Sequence, residues 1–168
     1  MKRVYCFILV LILAISLVGC NSSSIGEAGI IGYVMNKEND RILVISQKAQ
    51  DFSSNGGTTE YYDAIWFSKA PKEVKIGDKV KVWYDIVAES YPGQSEAVKV
   101  ELVQSQKPKT ANLAESEALY KTLTSEEIKA YGLIVMKSIE YDKQADRWNV
   151  VLKEIWSEKI VNMQVEDV

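Results

Sequence analysis

"DKVKVWYD" (residues 78–85) alternates apolar side chains with mainly polar ones. One face would carry Val80, Val82 and Tyr84, and the other Lys79, Lys81, Trp83 and Asp85. A period of two is typical of a β-strand with one buried face. The segment therefore predicts a strand of a small sheet, and it leaves one tryptophan on the polar face.

Four further segments are short, rich in β-branched and aromatic residues, and bounded by polar turns. They are residues 29–36, 41–46, 61–68 and 95–103. Short strands separated by turn-rich loops are typical of small antiparallel barrels and sandwiches. We therefore expect a mainly β protein in which residues 29–105 form a small five-stranded OB-like antiparallel barrel.

The C-terminal part, residues 112–168, has a different pattern and follows the polar connector 104–111. Asn112 and Glu115 have the spacing of a capping box, which predicts that a helix begins here. Two alternating segments follow around the polar turn "DKQAD", and the predicted hairpin needs the helix to cover it. We expect an α+β part with a helix, a β-hairpin whose Trp148, Val150 and Leu152 face the helix, and a third strand within 159–168.

The N-terminus has the layout of an export signal. Lys2 and Arg3 precede an uncharged, mainly apolar run of fifteen residues, 4–18, which is shorter than the roughly 20 apolar residues of a membrane span. The run ends in "LVGC", which resembles the lipobox of bacterial lipoproteins. That resemblance implies that residues 1–19 are a signal peptide and that Cys20 is lipidated. Residues 20–28 would then be a lipidated tether that holds the protein on the extracytoplasmic face of the cell membrane.

The composition excludes several kinds of chemistry. The chain has no histidine, and its two cysteines are Cys6, inside the predicted signal, and Cys20. Catalytic triads with histidine, Cys–His pairs and zinc sites built on histidine or cysteine are therefore excluded. Loss of residues 1–19 would change the net charge from −3 to −5, which argues against a nucleic-acid partner.

Oxygen ligands for a metal are close together at 36–40 and 142–146, but neither stretch has the glycine of a calcium loop. We interpret both as hairpin turns and expect neither a metal nor another cofactor. Paired carboxylates leave one catalytic alternative, an envelope hydrolase. Its candidates are Asp63, Asp85, Glu89 and Glu96.

Aromatic residues cluster in the predicted barrel. We take Tyr62, Trp66, Trp83 and Tyr91 as a candidate binding surface for an envelope protein, peptide or glycan. The alternative for Trp83 is a structural role, with the loop 89–97 or the C-terminal part folded over it, because an exposed tryptophan is otherwise a liability. The long polar loop 50–60 would be either a recognition loop or a slack connection.

The motifs "NDRILVIS", "AIWFS", "IGDKVKVWYD" and "ESYPGQSEA" occur in this order. Through them residues 29–103 resemble the YobA-like envelope lipoproteins of Firmicutes, which contain domain-of-unknown-function family 3221. The resemblance implies a β-rich, OB-like module in a lipid-anchored extracytoplasmic protein, and no activity. The C-terminal part is weakly similar to PepSY modules, which implies a peptidase inhibitor as a further alternative. We expect a membrane-anchored, non-enzymatic binding or scaffold module.

Overall fold

The computed structural model describes residues 26–168. The predicted signal peptide, Cys20 and most of the predicted tether lie outside the described residues. The described part is mainly β, as predicted, with one sheet of six strands and another of three. Within this part of the chain, no helix combines the length and the apolar character that crossing a membrane requires.

The first sheet is formed by the N-terminal half of the described chain. Its strands are β1 (Ile30–Glu38), β2 (Arg41–Ser46), β3 (Ala64–Ser68), β4 (Lys79–Trp83), β5 (Gly93–Glu96) and β6 (Lys99–Leu102). They are arranged in the order β5-β3-β2-β1-β4-β6. All neighbouring pairs are antiparallel except β3 and β5, which are parallel.

This part of the chain has six strands where five were predicted, and the described strands form an open sheet. The predicted strand 95–103 is divided into β5 and β6, because the chain changes its hydrogen-bond partner between two consecutive residues. The Ala97 N–H donates to the Ser68 carbonyl at 3.0 Å, and the Val98 N–H donates to the Trp83 carbonyl at 2.8 Å. The ends of β3 and β4 are thus bridged by one segment, and the described residues form no closed ladder.

The first sheet is buried on both faces at β2. Residues Ile42 to Ser46 of β2 are all buried, so alternate side chains enter two different cores. Ile42 and Val44 pack with Phe67 on one face, whereas Leu43 and Ile45 belong to a second cluster on the other. A strand buried on both faces has a continuous apolar sequence, and its second face needs a covering layer.

The C-terminal part supplies that layer. It contains helices α1 (Glu115–Leu123) and α2 (Glu126–Lys129) and strands β7 (Ile134–Asp142), β8 (Arg147–Glu154) and β9 (Ile160–Glu166). The strands are antiparallel in the order β7-β8-β9, which confirms the predicted hairpin and third strand. As predicted, 36–40 and 142–146 are hairpin turns, which connect β1 to β2 and β7 to β8.

The predicted capping box at Asn112 and Glu115 is wrong. The helix begins two residues later than that spacing requires: the capping position is Ala114, whose N–H donates to the Glu117 carboxylate at 2.6 Å. The Asn112 side-chain amide instead donates to the Asp167 carbonyl at 2.8 Å. Asn112 therefore ties the start of the C-terminal part to the end of the chain, because the buried Asp167 offers it a partner.

One hydrophobic cluster joins the two parts of the chain. Leu119 and Leu123 of α1 and Leu152 of β8 share it with residues of the first sheet, including Tyr33 and Ile45. Burial of these side chains stabilises the contact by roughly 1.5 to 3 kcal/mol each. The second face of the first sheet is therefore a packing surface for the C-terminal part.

Candidate functional site: an aromatic cleft between the two sheets

A cleft of about 360 Å³ lies where the first sheet meets the turn after β8. Its lining includes Glu60, Tyr61, Tyr62, Tyr91, Lys153 and Trp156. This volume falls at the lower end of the roughly 300–1,000 Å³ that small-molecule sites occupy. We call it the aromatic cleft.

The loop 50–60 is closed at its base, which positions one side of the cleft. The Gln50 N–H donates to the Tyr61 carbonyl at 2.7 Å, and the Tyr61 N–H donates back at 2.9 Å. A short 3₁₀ turn, Ser53–Asn55, occupies the tip of the loop. The paired base places Glu60, Tyr61 and Tyr62 just before β3, and all three line the cleft.

Four aromatic rings form a row that crosses from the first sheet to the C-terminal part. Ring centroids lie 5.5 Å apart between Phe52 and Tyr61, 5.6 Å between Tyr61 and Tyr91, and 5.5 Å between Tyr91 and Trp156. The last pair is edge-to-face, a favourable arrangement of two rings. Trp156 keeps 65% of its surface exposed, so this indole is open to a ligand.

Tyr91 is held rigidly in the middle of this row. Its hydroxyl donates to the Tyr62 carbonyl at 3.0 Å. Burial raises the pKa of Tyr91 to about 12, and the neighbouring Tyr61 and Asp63 add to the effect. The phenol is therefore neutral at physiological pH and serves as a fixed, uncharged wall of the cleft.

A carboxylate surrounded by donors forms the polar side of the cleft. Glu60 accepts hydrogen bonds from the ammonium groups of Lys137 and Lys153, the latter at 2.7 Å, and from the Tyr62 hydroxyl at 2.5 Å. The Lys137 hydrogen bond, followed by those of Lys153 and Tyr62, lowers the pKa of Glu60 to about 2. The bonds to Glu60 in turn raise the pKa of both lysines.

These shifts define what the charged group can do. Glu60 stays ionised and both lysines stay protonated across the physiological range, so none of the three is poised to exchange a proton near pH 7. The arrangement supplies a fixed, partly exposed pattern of charge beside exposed aromatic surface. That combination suits recognition of a ligand.

The structure brings two of the four predicted binding residues together. Tyr62 and Tyr91 both line the aromatic cleft. Trp66 does not line it: this half-buried ring packs against the shared core and lies 4.5 Å below the Arg41 guanidinium. The four residues therefore do not form one continuous surface.

Trp83 lies at a separate site on β4. Its indole N–H donates to the Gly26 carbonyl at 2.6 Å, and the Lys99 ammonium is 4.6 Å from its ring centroid. The covering groups therefore come from the start of the described chain and from β6. Cys20, the predicted lipid-attachment residue, lies outside the described residues.

Sequence reasoning missed Trp156, Glu60 and Lys153 as parts of a site. The signal in the sequence for Lys153 was a lysine directly after the apolar run 150–152 of β8. The structure shows that this lysine is buried. Trp156 is the second residue after that strand and lies in a turn. Assigning either residue to a site requires knowing that this turn lies against the loop 50–60. The local sequence around the turn does not contain that information.

The four carboxylates of the hydrolase alternative occupy different environments. Asp63 is half-buried and accepts a hydrogen bond from the Gln50 amide at 2.5 Å, and burial raises its pKa. Glu96 forms an exposed ion pair with Lys69 at 2.5 Å, while Asp85 and Glu89 are exposed. None of the four lines the aromatic cleft.

Residues 31–104 match the family model described as Protein of unknown function (DUF3221). The matched segment contains the six strands of the first sheet except for Ile30, the first residue of β1, together with Tyr61, Tyr62 and Tyr91. The match supports the predicted relation to a domain of unknown function. No curated protein and no solved structure matches the chain.

Proposed function

We propose that the protein is a lipid-anchored, extracytoplasmic binding protein that holds an envelope glycan or peptide in the aromatic cleft and performs no reaction on it. The observation that carries the proposal is the row of rings that ends in the exposed Trp156 beside the fixed charges of Glu60 and Lys153. Aromatic faces stack on sugar rings and on planar or apolar side chains, and a rigid wall reduces the entropy lost on binding.

The cleft favours binding because its parts are held in advance. Tyr91 is fixed by its bond to the Tyr62 carbonyl, and Glu60 by three donors. Preorganised groups bind without paying for their own ordering. The DUF3221 segment provides the tyrosines, and the C-terminal part provides Lys153 and Trp156, so the proposed site requires both parts.

The first sheet is, in this proposal, an OB-like partly open barrel. Its support is the segment 93–102, which runs parallel to β3 and then antiparallel to β4. Ala97 and Val98 contact the ends of these two strands in succession. OB-folds are partly open barrels, and they commonly carry binding sites on one strand face and in the loops.

The lipid anchor is supported by the sequence alone, through the basic start, the apolar run and the lipobox-like "LVGC". Replacing Cys20 by serine removes the only thiol at the predicted attachment position. We expect Cys20→Ser to move the protein out of the membrane fraction, and mass spectrometry of the membrane-bound protein to show a diacylglyceryl adduct on an N-terminal Cys20. An unmodified N-terminal peptide would overturn the anchor.

The binding proposal is tested with fragments of cell-wall glycan and with wall peptides, by equilibrium dialysis against the mature protein. We expect Trp156→Ala to weaken binding at least tenfold, because it removes the exposed stacking surface. Tyr120→Ala is the matched control: it removes an exposed aromatic ring of α1 outside the cleft. Equal binding by both variants, or no binding of either ligand class by the natural protein, would contradict the proposal.

A further inference from the structure

The C-terminal part leaves one region of the first sheet uncovered. On β1, β4 and β6 the outward-facing residues Ile31, Lys81 and Glu101 form one row, and Trp83 and Lys99 form the next. The inward-facing Val80 and Val82 on β4 are completely buried. We call the outward region, Ile31, Lys81, Trp83, Lys99 and Glu101, the lysine–tryptophan face.

This face combines cationic and apolar groups. The Lys99 ammonium lies 4.6 Å from the Trp83 ring centroid and also pairs with Glu101. Ile31 is 49% exposed although it lies in the middle of the sheet. An exposed apolar side chain beside an indole and lysines is typical of a surface that meets a polar–apolar boundary.

The start of the described chain lies on this same face. The Trp83 indole N–H donates to the Gly26 carbonyl at 2.6 Å. Gly26 follows Cys20 by six residues, and six residues span at most about 20 to 22 Å when fully extended. A lipid on Cys20 would therefore keep the lysine–tryptophan face within this distance of the bilayer. Surfaces on the far side of the protein would lie farther from it.

We infer that the lysine–tryptophan face rests on the surface of an anionic lipid bilayer and sets the orientation of the protein there. Tryptophan partitions to the boundary between headgroups and acyl chains, and Lys81 and Lys99 are attracted to anionic headgroups. The tether keeps the local concentration of bilayer high, so a weak contact suffices. This inference rests on the lipid anchor of the proposed function.

Charge favours contact of an anionic bilayer with the lysine–tryptophan face over contact with the rest of the protein surface. The chain is acidic as a whole, at −3, and becomes −5 without residues 1–19. An anionic bilayer therefore repels most of the surface, while the lysine-bearing strand β4 is attracted. Because exposed charges are screened within a Debye length of about 8 to 10 Å, the orientation requires close contact and weakens at high salt.

The test uses the lipidated protein reconstituted into vesicles whose acyl chains carry bromine near the headgroup, a quencher of tryptophan fluorescence. Vesicles contain either phosphatidylcholine alone or added phosphatidylglycerol. With the anionic lipid we expect clear quenching that Trp83→Phe reduces at least twofold. Trp156→Phe, which removes an exposed indole outside the lysine–tryptophan face, should retain it.

A second variant does not depend on replacing the indole. Lys81→Glu combined with Lys99→Glu should lower the quenching to the level seen in phosphatidylcholine vesicles.

Vesicle flotation separates the two proposals. Protein that does not float with vesicles overturns both the anchor and the inference. Floating protein without quenching, or with the same quenching in Trp83→Phe or in neutral vesicles, overturns the inference alone.

Discussion

The Tyr33 hydroxyl on β1 donates a 2.6 Å hydrogen bond to Oε1 of Glu115 in the first turn of α1. Burial raises the pKa of Tyr33, and the Glu115 carboxylate raises it further, so the phenol remains a donor. The bond crosses the boundary between the first sheet and the C-terminal part. Since the same boundary contains a shared hydrophobic cluster, the two parts should unfold together.

Tyr33→Phe tests the contribution of this bond. The ring, with the Lys79 ammonium 5.1 Å from its centroid, is kept, and only the donor is lost. Because hydrogen bonds to charged groups contribute about 1.5 to 3 kcal/mol, we expect the free energy of unfolding to fall by that amount. Urea denaturation followed by circular dichroism measures it. Tyr120→Phe on α1 is the control, and an equal loss in both variants would contradict the prediction.

Gly77 is a second point at which the first sheet and the C-terminal part are in close contact. Its φ is +90°, and a Cβ added there would lie 2.4 Å from the Ser116 carbonyl oxygen of α1. Gly77→Ala should therefore combine the cost of a positive φ, about 1 kcal/mol, with displacement of the helix. We expect a loss of more than about 3 kcal/mol in denaturation experiments.

Gly56→Ala separates these two causes. Gly56 has a similar φ of +77°, but an added Cβ would meet nothing within 4 Å. This variant should show only the backbone cost of about 1 kcal/mol. If the two alanine variants lose the same stability, the close approach of α1 to the turn before β4 has no energetic weight.

The sequence predicted the strands well because their signal is local. Alternation marked β4, and apolar runs marked β1, β2 and β3, with bounds close to the observed ones. The division of residues 95–103 into two strands was not predictable, because it depends on hydrogen bonds from Ala97 and Val98 to the ends of two other strands. Burial of β2 on both faces was visible as "RILVIS", but the layer covering its second face belongs to a distant segment.

The candidate site could also be predicted only where its signal is local. Clustered aromatic residues in the sequence indicated Tyr62 and Tyr91, which do line the cleft. Trp66 and Trp83 share the same composition signal but take other roles, because neighbouring strands place Arg41 and Lys99 over their rings. Trp156 belongs to the cleft only through tertiary packing, so no local pattern could have assigned it.

The C-terminal end of the chain is held by a buried carboxylate. Asp167 accepts hydrogen bonds from the Asn112 N–H at 2.5 Å, the Leu113 N–H at 2.8 Å and the Trp148 indole at 3.1 Å. Burial acts to raise its pKa, but these bonds outweigh it and lower the pKa below the ordinary value. Asp167→Asn offers only one acceptor oxygen to three donors, so we expect a lower melting temperature and altered Trp148 fluorescence.

The matched control for this carboxylate is its exposed neighbour, Glu166. Glu166→Gln removes one negative charge at the same end of the chain without touching the three donors. The melting temperature of this variant should stay within about 1 °C of the natural protein, because surface substitutions rarely exceed 0.5 kcal/mol. Equal shifts for both variants would show that the charge matters and the bonds do not.

Glu60 should control stability in acid. Its pKa is about 2 in the folded protein and about 4.5 when unperturbed. A depressed folded pKa contributes stability that is fully present above pH 4.5 and is lost as the pH falls towards 2. Because the carboxylate is partly exposed, solvent screening reduces this contribution to about 1 to 2 kcal/mol. Glu60→Gln should lower stability at pH 7 by this amount and flatten its decline between pH 4.5 and 2.

Measuring unfolding free energies by urea titration across pH 2 to 7 checks the prediction, with Glu126→Gln as the control. Glu126 also pairs with a lysine, Lys129, but both side chains are largely exposed. Such pairs contribute only about 0.3 to 0.5 kcal/mol, so this variant should retain the natural acid profile. If Glu60→Gln retains that profile too, the two lysines do not stabilise the carboxylate. The polar side of the aromatic cleft would then not be preorganised.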